Sequence, residues 1–287
     1  MINPNYLLAI PDGLITRPSG IWAAEKLDYL HRYIDTFETA MRLKWPQRNY
    51  IDLFAGPGKN LVKSSGDVLL GSPILALTTK YPFTGYYFSE LAKSNLDALR
   101  LRCSASPHHA RIKDYAGDAN VIVNSVVADI KQYSTHSLNL AFLDPDGLEL
   151  EWSTIKKLGN LRCDLIIHYS QQGISRNIAV AYESANETIV DRFFGSSEWR
   201  KIYAQWYKKT SKKGMHRELI DFYKERLLSL GYQEVKQSGV ILTEPLIRNI
   251  RSNAPLYRLI FASKDQFGDR FWQQITSRDI HGQKRMF

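Results

Sequence analysis

Apolar residues follow two rhythms along this chain. Short unbroken runs, each closed by an acid or a glycine, alternate with longer stretches where apolar residues recur every three or four positions. The runs read as strands buried on both faces, the stretches as amphipathic helices. The leading run is Tyr50-Ile51-Asp52-Leu53-Phe54-Ala55-Gly56-Pro57-Gly58, which predicts a strand at 48–54. The two glycines after it let the backbone approach a ligand, because no Cβ stands in the way. Further strands are predicted at Tyr86–Glu90, Ile112–Ala116, Leu138–Leu143 and Asp164–His168. Between them lie helical patterns at Leu91–Cys103, Val121–Tyr133 and Trp152–Leu161. Ser72 is expected to cap a helix whose first residue is Pro73. This alternation predicts an α/β fold: a doubly wound, mostly parallel, Rossmann-like sheet with ligands at the strands' carboxyl ends.

The flanks read differently. Residues 1–20 carry Pro4, Pro11, Gly13, Pro18 and Gly20 and suggest an irregular arm. A helix is predicted over 21–45 from the spacing of Ile21, Trp22, Leu27, Leu30, Ile34, Phe37 and Met41. Lys26 falls on its more polar side and reads as a solvated lysine. Residues 59–71 read as a loop, and 173–231 as a helical insertion after the fifth strand. Two last strands are expected at Gln233–Leu242 and Leu256–Ser263, then a basic helix and tail over 265–287, docked by Phe271 and Trp272. The organisation expected is an N-terminal arm and helix at 1–47, a main domain at 48–264, and the C-terminal tail.

Composition narrows the partners. The chain has 287 residues, 44% hydrophobic and 23% charged, which suits a globular protein with a large core. Its net charge of +9 favours a polyanion such as nucleic acid, although solubility alone also accounts for it. Cys103 and Cys163 form no CxxC pattern, so neither a disulfide framework nor a metal site is predicted. No signal segment or long apolar run is visible, which points to a cytoplasmic protein without a membrane partner. The segment 199–217 holds Arg200, Lys201, Lys208, Lys209, Lys212, Lys213 and Arg217, no acid, and the aromatics Trp199, Tyr203, Trp206 and Tyr207. It reads either as a nucleic-acid surface, with cations on phosphates and rings on splayed bases, or as an amphipathic helix with a solvated basic face.

The strand ends carry the candidate chemistry: Asp52, Glu90, Asp118, Asp144 and His168. A carboxylate at Glu90 suits a ribose diol, since it accepts both hydroxyl protons. Asp118 could accept from an adenine amino group. His168 is either a general base or a core histidine bonded to backbone. The polar loop Gln171, Gln172, Ser175, Arg176 and Asn177 is placed to line a substrate pocket.

Asp52-Leu-Phe-Ala-Gly56-Pro-Gly58, with Glu90, Gly117-Asp118 and Asp144-Pro145-Asp146-Gly147, resembles the motif series of class I S-adenosylmethionine-dependent methyltransferases over residues 48–264. The resemblance implies S-adenosyl-L-methionine as cofactor, held by Asp52, Phe54, Ala55, Gly56, Gly58, Glu90, Leu91, Gly117, Asp118, Ala119 and Asp144. A narrower resemblance rests on Trp22, Lys26-Leu-Asp-Tyr-Leu, Tyr33, the glycine motif, Gly71-Ser72-Pro73, and the 144–147 motif followed by Trp152. These residues are similar to the three-Cys-motif partner protein (TcmP) family, which implies a partner protein. Within the superfamily, Asp/Asn-Pro-Pro-Tyr/Phe marks methylation of exocyclic base amines. Here Asp146-Gly147 replaces the second proline and the aromatic, closer to the Asp-Pro-Phe-Gly of a transfer-RNA guanine-amine methyltransferase family. The resemblance implies that Asp144 and Pro145 orient an amine, with Tyr169 as the stacking ring. The function expected is methyl transfer to nucleic acid, on a base amine. The alternative is a methyltransferase-fold scaffold that has lost catalysis and works with a partner. A dinucleotide oxidoreductase fits poorly, because the long loop from Gly58 to Ser72 keeps a helix N-terminus away from the glycines.

Overall fold

The computed structural model describes residues 3–134, 136–233 and 244–278. Along the chain, the strands are β1 (Arg17–Ser19), β2 (Gln47–Asp52), β3 (Lys59–Val62), β4 (Val68–Leu70), β5 (Gly85–Glu90), β6 (Ile112–Ala116), β7 (Ser137–Leu143), β8 (Cys163–Tyr169), β9 (Leu246–Arg248) and β10 (Pro255–Ala262). The helices are α1 (Ala23–Met41), α2 (Ser72–Leu77), α3 (Lys93–Cys103), α4 (Ala119–Tyr133), α5 (Trp152–Leu158), α6 (Gln171–Glu183), α7 (Ile189–Phe194), α8 (Trp199–Ala204), α9 (Met215–Ser229) and α10 (Gln266–Thr276).

Seven strands form the main sheet in the order β6-β5-β2-β7-β8-β10-β9. From β6 to β8 all pairings are parallel, and β10 runs antiparallel to both β8 and β9. The chain starts in the middle at β2, winds outward through β5 to β6, then crosses back to β7 on the other side of β2. Strand order therefore reverses between β2 and β7, and a doubly wound sheet opens its ligand crevice at that point, beyond the carboxyl ends. Alternation along β2 sends Tyr50 into the core under α1, α2 and α10, and Ile51 into the opposite core under α4 to α9.

Several elements depart from expectation. The stretch read as a loop over 59–71 contains the antiparallel pair β3–β4, and the arm read as irregular supplies β1, paired parallel to β3. Gly71 rather than Ser72 is the cap of α2, in extended geometry, and Ser72 is the helix's first residue. The strand expected at Gln233–Leu242 lies, from residue 234, outside the described residues, as does the tail beyond 278. Strand β9 was not anticipated. Trp272 is buried as expected and stacks on Phe261 with ring centroids 5.1 Å apart. Among the described residues, no helix is long and apolar enough to cross a membrane.

The arm before α1 is fastened by buried charge. Asp12 pairs with Lys59 and Arg102, each at 2.8 Å, and the three side chains are 1%, 0% and 0% exposed. Lys59 also donates to the carbonyls of Asn5 (2.7 Å) and Ile10 (3.0 Å), and Arg102 donates to those of Ile15 and Pro57. Breaking one member of a buried ion cluster leaves the others uncompensated, which costs about 3 kcal/mol or more. Burial alone would raise the Asp12 carboxyl, but bonds from Arg102, Lys59 and the Leu14 N–H bring it down to about 2. An acid lowered by folding adds stability that is complete above its unfolded value and fades as pH falls toward its folded one. Asp12→Asn is therefore expected to be less stable than wild type at pH 7, with the gap closing between about pH 4 and pH 2. Thermal melts of both proteins across that range check it.

Candidate functional site

A cavity of about 240 Å³ lies at the switch point. One wall is the turn after β2, from Phe54 to Asn60, with Gly71 and Ser72 behind it. The second is the end of β7 and β8: Asp144, Pro145, Asp146, His168, Ser170 and Gln172. The third is the arm and the start of α1, including Arg17, Trp22 and Lys26, and Tyr257 of β10 closes the corner.

The turn is built to lie flat against a ligand. Gly56 and Gly58 have φ of +60° and +91°, which L side chains rarely adopt. A Cβ at Gly71 would come within 2.8 Å of the Gly58 carbonyl, so the hairpin can close on the turn only through glycine. Next to β2, Glu90 closes β5. Its Oε2 accepts from Gly56 N at 2.8 Å, and its Oε1 accepts from Ala92 N at 2.9 Å. Gly117, at φ +142°, follows β6 and donates its N–H to the Glu90 carbonyl at 3.1 Å. Asp118 caps α4 by accepting from Asn120 N at 2.7 Å, and Ala119 is buried behind it. Leu91 is 73% exposed at this same edge. Glu90, Leu91, Gly117, Asp118 and Ala119 therefore stand together on adjoining strand ends, beside the cavity and not in its lining. An open acid flanked by exposed apolar surface fits a nucleoside face. The glycine turn fits close backbone approach.

Asp52 is fully buried behind the turn. Its Oδ1 accepts from Phe54 N at 3.2 Å, so it shapes the turn from beneath. Burial pushes its carboxyl up to about 7, opposed by the Ser72 hydroxyl and reinforced by the charges of Asp144 and Glu90.

Asp144 is the hub. Lys26 Nζ pairs with its Oδ2, and His168 Nδ1 lies 3.2 Å from its Oδ1. Burial would raise the Asp144 carboxyl, but the charges of Lys26, His168 and Arg17 and the His168 hydrogen bond hold it far below the usual carboxylate range. His168 Nδ1 is also 2.8 Å from the Pro145 carbonyl oxygen. A carbonyl only accepts, so Nδ1 carries a hydrogen. Nε2 and the Tyr257 hydroxyl are both buried without a hydrogen-bond partner, and the two rings meet edge to face with centroids 4.2 Å apart.

Two readings need correction, and 199–217 fits the second of its two alternatives. Lys26 is half-buried and paired, not solvated: Trp22, Lys26 and Leu30 share a helical stripe at four-residue spacing, the pattern that could have revealed it. Tyr169 is fully buried on the opposite sheet face, against Phe193, Tyr223 and His216, and cannot stack on a ligand in the cavity. Strand alternation puts His168 and Tyr169 on opposite faces, so only one of them could reach the site. The aromatics of 199–217 mostly face inward: Trp199 and Tyr203 are core residues. Arg200 is tied to Asp191, Lys201 to Glu198, Lys212 to the Trp206 carbonyl, and Arg217 to Asp221 and Glu244. Lys208, Lys209 and Lys213 are exposed, with Lys209 over the Trp206 ring at 4.1 Å. Arg17 was not foreseen as a site residue; it pairs with Asp146 across the cavity mouth.

No family model matches the chain, and no curated protein does. Solved structures align with it at low identity. A protein of Legionella pneumophila is 11% identical over 87% of this chain and 89% of its own, with a TM-score of 0.48. A geranyl diphosphate C-methyltransferase from Streptomyces coelicolor, solved with Mg2+, geranyl diphosphate and S-adenosyl-L-homocysteine, is 10% identical over 92% of this chain and 97% of its own, with a TM-score of 0.37. A geranyl diphosphate methyltransferase in complex with SAM is 9% identical over 92% and 96%, with a TM-score of 0.36.

The hub has a testable energetic signature. Lys26→Met strands the Asp144 carboxylate in a buried place and is expected to cost about 3 kcal/mol, whereas Lys26→Met with Asp144→Asn removes both charges and recovers most of that loss. Urea unfolding of the two variants measures the difference.

Proposed function

We propose that this chain is an S-adenosylmethionine-dependent methyltransferase acting on nucleic acid, at an exocyclic amine of a base. The observation that carries the reading is the convergence, at one switch point, of the glycine turn, Glu90 beside Gly56, and the Asp144-Pro145 end of β7. The residues present fit the cofactor. Glu90 would hold the ribose hydroxyls, Leu91 and Asp118 would flank the base, and Phe54, Ala55, Gly56 and Gly58 would face the rest of the cofactor. S-adenosylmethionine supplies an electrophilic methyl group that carries its own leaving group. The protein then has mainly to align the acceptor and exclude water.

Asp144 orients the acceptor. Its carboxylate stays charged at any working pH, because Lys26, His168 and Arg17 hold it so. A charged carboxylate accepts an N–H from the acceptor amine and leaves the nitrogen lone pair aimed at the methyl carbon. The Pro145 carbonyl has a second lone pair beyond the one used by His168. The stacking ring is not Tyr169; Trp22, Phe54 and Tyr257 are the aromatics lining the cavity. The net charge of +9 and the exposed Lys208, Lys209 and Lys213 support a polyanionic acceptor. A partner protein, as the TcmP resemblance suggests, would complete substrate recognition.

Calorimetry with S-adenosylmethionine and S-adenosylhomocysteine is expected to show binding to wild type, weakened about tenfold or more in Glu90→Ala through loss of charge-assisted hydrogen bonds. With methyl-labelled donor, Asp144→Asn is expected to abolish transfer to RNA or DNA and still bind S-adenosylhomocysteine. Label passing to protein or small molecules instead of nucleic acid would contradict the acceptor class.

A further inference from the structure

A second groove, of about 780 Å³, lies on the α4 to α9 side of the sheet. It runs from the start of α5, at Glu151 and Trp152, past the connection between α6 and α7, to Arg226 of α9. Among the described residues, none lines both this groove and the cavity at the switch point. The two are nevertheless close along the chain. Asp146 lines the cavity and Glu151 the groove, and the five residue steps between them span about 18 Å at most. The loop that joins them is pinned to the start of α4: Glu151 N donates to the Asn120 side chain at 3.0 Å, and Asn120 Nδ2 donates to the Glu149 carbonyl at 2.8 Å. A strand with one base at Asp144 could reach the groove within a few nucleotides.

Four cations and three acids line the groove, and most are spent on each other. Arg200 holds Asp191 and the Ala181 carbonyl, and Arg192 meets Glu151 at 3.2 Å. Lys156, Arg226 and Glu187 remain. Glu187 stands on the exposed connection between α6 and α7, where water screens it. Lys156 is exposed and, among the described residues, pairs with no acid. Arg226 is half-buried, its guanidinium carbon 4.8 Å from the centroid of the Trp152 ring. It donates to the Gly195 carbonyl at 3.1 Å, and its Nε is buried without a hydrogen-bond partner. No carboxylate pairs with it among the described residues; Glu198, whose charge it feels, is held by Lys201 at 3.0 Å. Burial accordingly keeps the Arg226 guanidinium below its usual pKa. A partly desolvated cation without a counterion is costly, and an arriving anion reduces the cost. Arg226 is also held in place. A Cβ at Gly195 would come within 2.3 Å of the Trp152 ring, so the Gly195 backbone lies directly on that ring, beside the guanidinium it binds.

Resting on the nucleic-acid reading above, we propose that this groove receives a backbone phosphate of the acceptor strand, on Arg226 and Lys156, away from the base that is methylated. A guanidinium has donors beyond the one given to Gly195, in a fork that matches phosphate oxygens, and the lysine adds a mobile point charge. Such a contact reads no sequence. It sets the register of the strand, so that one base and not its neighbour meets Asp144.

Fluorescence anisotropy of the full chain with short labelled single-stranded RNA and DNA, read across a series of salt concentrations, tests the assignment. Wild type is expected to bind, with Kd rising as salt rises. Lys156→Met and Arg226→Met are each expected to weaken binding about threefold to tenfold at low salt. Each is also expected to lower the slope of log Kd against log salt by about 0.7, the loss of one phosphate contact. Arg226→Lys, which keeps the charge, is expected to keep the slope. Both Met variants are expected to bind S-adenosylhomocysteine within about twofold of wild type, since none of the residues assigned to the cofactor lines the groove. A slope unchanged in both Met variants, whatever their affinity, overturns the phosphate contact and leaves the nucleic-acid reading standing. Failure of wild type to bind either oligonucleotide sinks the nucleic-acid reading itself, and this inference with it.

Discussion

Two carboxylates are buried at one edge of the sheet, and their loss of water is the constraint around which the site is built. Parallel strands deliver their ends to the same side, so Asp52, Glu90, Asp144 and Asp146 all arrive there. A carboxylate in a poorly solvated place stays ionised only beside cations or hydrogen-bond donors. The protein resolves the problem in two ways. Asp52, sealed beneath the turn, is pushed up to about 7 and is free to stay protonated near neutral pH. Asp144 is kept charged by Lys26, His168 and Arg17. Two of those cations come from the arm and first helix, which explains why a segment outside the main sheet is fastened to it by a buried ion cluster.

That arrangement divides the edge into an open half and a closed half. The open half, at β5 and β6, has an acid and exposed apolar surface and suits a sugar and base. The closed half, at β2, β7 and β8, is walled by the arm and contains every strongly engaged charge of the site. Between them the glycine turn offers bare backbone. His168 ties the ends of β7 and β8 together: its Nδ1 faces the Pro145 carbonyl and Asp144, and its Nε2 is buried without a partner.

The central strands were legible because they are buried on both faces and therefore appear as uninterrupted apolar runs ended by acids. Glu90, Gly117, Asp118 and Asp144 could be placed at one edge by counting such runs, since each parallel strand ends on the same side. The β3–β4 hairpin was hidden because Lys59, Asn60 and the Ser64-Ser65-Gly66 stretch are polar and short. β1 was hidden by Pro18. Lys26 was misread because its charge outweighed its position in the apolar stripe, and only a distant partner, Asp144, 118 residues away, makes its burial tolerable. Tyr169 was misplaced because a residue at a strand end was assumed to reach the ligand whichever face it pointed to. The segment 199–217 shows the converse: its aromatics serve the core, and much of its basic charge is neutralised by acids elsewhere in the chain.

A structure of the protein with S-adenosylhomocysteine tests the central claim most directly. The account places the ribose hydroxyls on the Glu90 carboxylate and the base beside Leu91 and Asp118. A ligand bound elsewhere, or bound here with its ribose away from Glu90, would contradict it.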